Sequence, residues 1–128
     1  MIEHKRIKGL SFDDILLPPV YSEVRSRSEP DTSTRIGPFE LGIPFISSPM
    51  DTVTESKMAK AIYKLGGAGV IHRFMSKEDQ LKEVYKLNDA GVCPVIVAIG
   101  VGEEEKSRLK YLLDPYPNEN STIHMISV

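Results

Sequence analysis

The sequence predicts a parallel α/β fold of order β-α-β-α-β-α-β across residues 43–128, preceded by an irregular segment over residues 1–42. Three observations predict it. Short apolar runs recur at 43–47, 68–72, 94–99 and 122–128. Stretches of helical periodicity lie between them, and the links joining run to stretch are short and rich in turn formers.

The first 42 residues carry breakers throughout. Pro18 and Pro19 each remove a backbone donor, and Asp13-Asp14 favours a turn. Gly37-Pro38 joins two extended pieces, 33–36 and 39–41, as a small hairpin. Ile43-Pro44-Phe45-Ile46-Ser47 then reads as a strand covered on both faces. Thr52 to Glu55 fits a capping box, followed by Met58, Ala59, Ile62 and Leu65 at helical spacing and closed by Gly66. Residues 68–72 form a second buried strand. Ser76 is an N-cap for a helix whose Leu81, Val84 and Leu87 share one face, ended by Gly91. The β-branched run 94–99 is a third strand. Glu103 to Leu113 is a third helix, with three carboxylates in a first turn that suits the helix dipole, and Asp114-Pro115-Tyr116-Pro117 stops it. Residues 122–128 read as a fourth strand.

Two architectures share this string: an open doubly wound sheet, and part of a (β/α)8 barrel. A whole barrel takes about 250 residues, so 128 residues would supply the first four strands and three helices. Ending on a strand leaves an edge unpaired. The expectation is therefore either a truncated piece or a chain that closes against another copy or a partner.

Composition narrows the function classes. With 41% hydrophobic residues the chain builds one modest core, a single domain at most. A formal charge of −2 argues against electrostatic binding of nucleic acid. No apolar run approaches the ~20 residues of a membrane helix, and the opening MIEHKRIK lacks the apolar stretch of a signal peptide. One cysteine excludes an internal disulfide and a Cys-rich zinc site and fits a reducing, cytoplasmic setting.

In a parallel α/β fold, ligands gather where strands end and βα loops begin. The first such end, Ser47-Ser48-Pro49-Met50-Asp51-Thr52, gathers hydroxyls, a carboxylate and a soft methionine at a helix N-terminus; the plainer account is that Thr52 caps the helix and Ser48 satisfies local backbone. The second end, His72-Arg73-Phe74, gathers a base, a cation and an aromatic. Gly66-Gly67-Ala68-Gly69 precedes a strand, which is the wrong place for a phosphate cradle. Gly100-Val101-Gly102 follows a strand but lacks a third glycine, and Glu103-Glu104-Glu105 would repel a pyrophosphate there; those carboxylates read as a solvated first turn. Cys93 falls at the start of a strand, opposite the loop-bearing rim, and reads as a small buried hydrophobe. His124 reads as a packed or partly exposed core-edge residue within the fourth strand, and no two histidines have metal-ligand spacing. Lys77, Lys82 and Lys86 form an exposed helix face.

Leu10-Ser11-Phe12-Asp13-Asp14-Ile15-Leu16-Leu17-Pro18, with Tyr21-Ser22-Glu23-Val24 and Arg27-Ser28-Glu29, resembles the opening of the IMP dehydrogenase/GMP reductase family. Ser47-Ser48-Pro49-Met50-Asp51-Thr52-Val53-Thr54-Glu55 resembles that family's first barrel strand and loop, and Gly66-Gly67-Ala68-Gly69-Val70-Ile71-His72-Arg73 its second strand. The resemblance implies the N-terminal half of a TIM barrel, usually assembled as a homotetramer, in an enzyme that oxidises IMP or reductively deaminates GMP. It implies NAD or NADP as cofactor, with potassium if the chain is a dehydrogenase. Carried over by position, Ser48 and Met50 contact the purine nucleotide, and Arg73 lies beside the cofactor. The family's catalytic cysteine belongs to a later loop, so the resemblance assigns no catalytic residue to these 128 residues and predicts that they are inactive alone. Leu87-Asn88-Asp89-Ala90-Gly91-Val92 runs straight into the third strand, so the regulatory CBS insert of many dehydrogenases is missing at that point.

Overall fold

The computed structural model describes residues 9–114 and 122–128, which fall into two compact units divided after Pro30. In the first unit a single 3-10 turn spans Phe12–Asp14, where the Asp14 carboxylate accepts from the Ser11 N–H (2.9 Å) and the Ser11 hydroxyl (3.0 Å). The segment beyond it has no regular secondary structure, and Phe12, Leu16 and Leu17 are exposed.

The second unit opens with the hairpin that the sequence predicts. Strands β1 (Thr34–Ile36) and β2 (Phe39–Leu41) pair antiparallel, with Ile36 opposite Phe39 and Gly37 at φ +56° in the two-residue connection. A separate sheet then runs β3 (Ile46–Ser47), β4 (Ala68–Ile71), β5 (Ile96–Ala98) and β6 (Met125–Ser127). Its strands are parallel and adjacent in chain order, in register Ile46↔Ala68, Val70↔Ile96 and Ile96↔Met125. Helices α1 (Ser56–Lys64), α2 (Lys77–Asn88) and α3 (Glu103–Leu113) make the connections.

The core divides by strand parity. Ile71 and Val97 join Ala59, Leu81, Val84, Leu87 and Leu112 in a cluster supplied by all three helices. Ala68, Val70, Ile96 and Ala98 point the other way and meet Leu41 and Ile36 of the hairpin instead. All three helices therefore pack on one face. Strands in sequential order with helices on one face are singly wound, which is the arrangement of a partial barrel; a doubly wound sheet reverses its strand order and carries helices on both faces.

Local chemistry explains most boundaries, and several expectations need correction. The first strand is two residues long rather than five: the Ile43 N–H goes to the Gly66 carbonyl and the Phe45 N–H folds back on the Ile43 carbonyl, so Ile46 and Ser47 pair with β4 and Phe45 offers it only a carbonyl, which accepts from the Ala68 N–H. Helix α1 starts at Ser56, and the Thr52–Glu55 capping box does not form. Instead the Ser56 N–H donates to the Glu83 carboxylate of α2 at 2.7 Å, a cap supplied from another helix. The expected apolar stripe of α1 is only partly covered. Ala59 is buried, whereas Met58 and Leu65 are exposed. Gly66, at φ +92°, closes the helix as expected. Ser76 caps α2 as the sequence predicts, its hydroxyl accepting from the Asp79 N–H and donating to the Asp79 carboxylate.

Cys93 is exposed, not buried. It lies in the turn ahead of β5, between Val92 and Val95, whose side chains take the core positions. His124 sits just before β6 and is half-buried; its Nδ1 accepts from the Val95 N–H at 3.1 Å, with Nε2 3.6 Å from the Cys93 sulfur. Helix α3 ends at Leu113, and the expected Pro115-Tyr116-Pro117 stop lies outside the described residues. Among the described residues, no helix is long and apolar enough to cross a membrane.

Candidate functional site

Three loops leave the carboxyl ends of β3, β4 and β5. The first is a compact turn. The Val53 and Thr54 N–H groups both donate to the Met50 carbonyl at 3.0 Å, and the Met50 N–H donates to the Ser48 carbonyl at 2.9 Å. The Thr54 hydroxyl donates to the same Ser48 carbonyl at 2.6 Å. Thr54 is fully buried, while Ser48 and Met50 are exposed. The turn is thus anchored beneath and open above.

The second loop docks on the first. The His72 N–H donates to the Thr54 carbonyl at 3.4 Å. The His72 ring is buried, and its Nδ1 accepts from the Phe74 N–H at 3.1 Å. A neutral ring that accepts at Nδ1 carries its proton at Nε2, and Nε2 lies 3.6 Å from the Glu55 carboxylate. The ring stacks on Phe74 at 6.3 Å between centroids.

Arg73 turns toward the third loop. Its guanidinium lies 4.9 Å from the centre of the Phe74 ring, and Nη1 is 3.8 Å from the Glu105 carboxylate. Glu105 is not solvated as its sequence context predicts: its side chain is 13% exposed. The reason is a network. Its carboxylate accepts from the Gly100 N–H at 2.8 Å and lies 3.4 Å from Arg108 Nε. Arg108 in turn donates to the Met75 carbonyl and the Gln80 amide oxygen. Gln80, fully buried, donates to the His72 carbonyl (3.1 Å) and the Ala98 carbonyl (2.8 Å), and so ties the ends of β4 and β5 together. The Gly100 N–H that a phosphate loop would present is therefore already occupied.

Of the three residues singled out from the sequence, Ser48 and Met50 share one tight turn, and Arg73 sits on the strand end bonded to that turn through the Thr54–His72 contact. Arg73 itself engages Glu105 and Phe74 rather than the first loop. Sequence reasoning missed Thr54, Gln80, Glu105 and Arg108. Gln80 had a signal, since it shares the stripe of Val84 and Leu87, where an amide needs buried partners. Thr54 had none.

The Phe74 ring is 61% exposed beside a partly exposed cation, which offers both a stacking face and a positive charge. Among the described residues no group of three or more His, Cys, Asp or Glu side chains is placed to hold a metal ion.

Residues 9–116 match the family described as IMP dehydrogenase / GMP reductase domain. The chain is 48% identical over 85 residues to the inosine-5'-monophosphate dehydrogenase of Nitrosopumilus maritimus, covering 66% of this chain and 18% of that protein. It is 40% identical over 114 residues to the Aquifex aeolicus inosine-5'-monophosphate dehydrogenase (88% and 23%), and 46% identical over 84 residues to the GMP reductase of Leishmania donovani (65% and 17%). The crystal structure of inosine 5'-monophosphate dehydrogenase from Legionella pneumophila superposes with a TM-score of 0.68 at 38% identity, over 85% of this chain and 33% of that one. The chain thus spans less than a quarter of the length of these curated relatives.

Proposed function

Because the chain belongs to the IMP dehydrogenase / GMP reductase family, we propose that it contributes the first half of a purine-nucleotide oxidoreductase barrel. In this reading the exposed turn bearing Ser48 and Met50 receives a purine nucleoside monophosphate, IMP or GMP. Arg73 and Phe74 line the place of a nicotinamide dinucleotide, which when bound accepts or supplies the hydride. Ser48 offers a hydroxyl for the sugar-phosphate side, and Met50 offers a polarisable apolar surface for the base. Arg73 offers a charge to the anionic groups of the dinucleotide.

The observation that carries this reading is the Thr54–His72 backbone contact, which joins the turn of the first strand to the end of the second on one rim. No nucleophile is assigned to the chain. Cys93 precedes β5, at the end of the sheet opposite that rim, so it is not a candidate for attack on a purine held there.

Two measurements test the proposal on the purified 128-residue chain. Calorimetric titration is expected to show binding of IMP or GMP that weakens when Ser48 is replaced by Ala. Nicotinamide absorbance with IMP plus NAD, or GMP plus NADPH, is expected to stay flat. Turnover by the chain alone would overturn the assignment of the nucleophile to another part of the barrel. Binding unaffected by Ser48→Ala would overturn the placement of the nucleotide.

A further inference from the structure

We infer that Thr54 is the positioning residue of the nucleotide turn, setting the shape in which Ser48 and Met50 are presented. This rests on the proposed placement of the nucleotide at that turn. Three bonds converge on this one buried residue, and two more close the turn around it. The Thr54 hydroxyl donates to the Ser48 carbonyl at 2.6 Å, and its N–H donates to the Met50 carbonyl at 3.0 Å. Its carbonyl accepts from the His72 N–H of the neighbouring strand end, and the Val53 N–H reinforces the bond to Met50. Thr54 has no exposed surface and does not touch solvent, so its hydroxyl has no part in direct contact with a ligand. Its work is on the backbone of the residues that do face solvent.

The hydroxyl is the separable part of this arrangement. The backbone bonds of residue 54 survive any substitution that keeps the fold, whereas the bond to the Ser48 carbonyl needs a side-chain donor. Thr54→Val preserves the buried shape and removes that donor, leaving the Ser48 carbonyl only the Met50 N–H. Thr54→Ser keeps the donor and loses a methyl group. A packing role predicts that Ser is the more damaging change; a positioning role predicts that Val is.

The test reads the turn and the ligand separately, on the full 128-residue chain. Hydrogen exchange of peptides covering residues 48–55 is expected to be faster in Thr54→Val and near wild type in Thr54→Ser, with β4 and β5 unchanged in both. Titration with IMP is expected to be about tenfold weaker in Thr54→Val and restored in Thr54→Ser, the effect of losing one buried hydrogen bond. Unchanged exchange at 48–55 in Thr54→Val overturns the inference whatever the titration gives. If exchange responds as expected while the wild-type chain binds neither IMP nor GMP, the nucleotide reading fails and the positioning of the turn stands.

Discussion

Gly69 shows how little room one residue can leave. A Cβ there would lie 2.7 Å from both the Cα and the Cβ of Ala59, closer than carbon atoms approach, and 3.1 Å from the Ser47 hydroxyl. Helix α1 and strand β4 can touch only because position 69 carries no side chain. Gly69→Ala should therefore cost about 1–3 kcal/mol of stability through overpacking, read as a lower urea midpoint, and should shift α1 against the end of β3. At this scale the sequence spoke unevenly. The Ser76 cap was legible because its partner Asp79 is three residues away. Thr52–Glu55 looked the same in sequence but was misleading, because the Thr54 hydroxyl turns back to Ser48 and the helix waits until Ser56. The placement of Cys93 failed for a similar reason. Neighbours in space, not neighbours in sequence, decide which residue of a turn faces the core.

At the scale of elements, α1 depends on α2 for its first turn. The Glu83 side chain, 10% exposed, receives the Ser56 N–H and is also paired with Lys86. Burial pushes the Glu83 carboxyl up, but hydrogen bonds from Lys86 and from Ser56, with the Lys86 charge, outweigh it and hold the group below its ordinary value of 4.5. A folded-state value lower than the unfolded one gives stability that is complete above the unfolded value and lost as pH falls through the folded one. The chain should accordingly lose stability on acidification below about pH 4.5, and Glu83→Gln should flatten that loss in urea melts taken across the range. Glu83→Ala should cost about 1–3 kcal/mol near neutrality, because it leaves a buried N–H unpaired. The existence and order of the elements were legible in the sequence, from apolar periodicity in α1 and α2 and from the acidic first turn of α3. The contact between α1 and α2 was not, because it joins residues 27 positions apart.

For the molecule as a whole, the sheet has two ends that no described strand covers. Among the described residues β3 pairs only with β4, and β6 only with β5. Phe45 and Ile46 are exposed before and on β3, and Ile126 and Val128 on and after β6. A row of unpaired backbone donors and acceptors next to apolar side chains is a template for association. Sedimentation velocity of the isolated chain should show growth in size with concentration, and Ile126→Lys should blunt it by placing a charge on the outer strand. The sequential order of the strands stayed open between a barrel and a doubly wound sheet, whereas their parallel direction was legible from the alternation of apolar runs and helices. The hairpin's role was not, since nothing in 33–41 says that Leu41 and Ile36 will cover the helix-free face.

That cover has a consequence for hydration. Leu41 and Ile36 cluster with Ala68, Val70, Ile96 and Ala98, so this face of β4 and β5 stays dry although no helix lies over it.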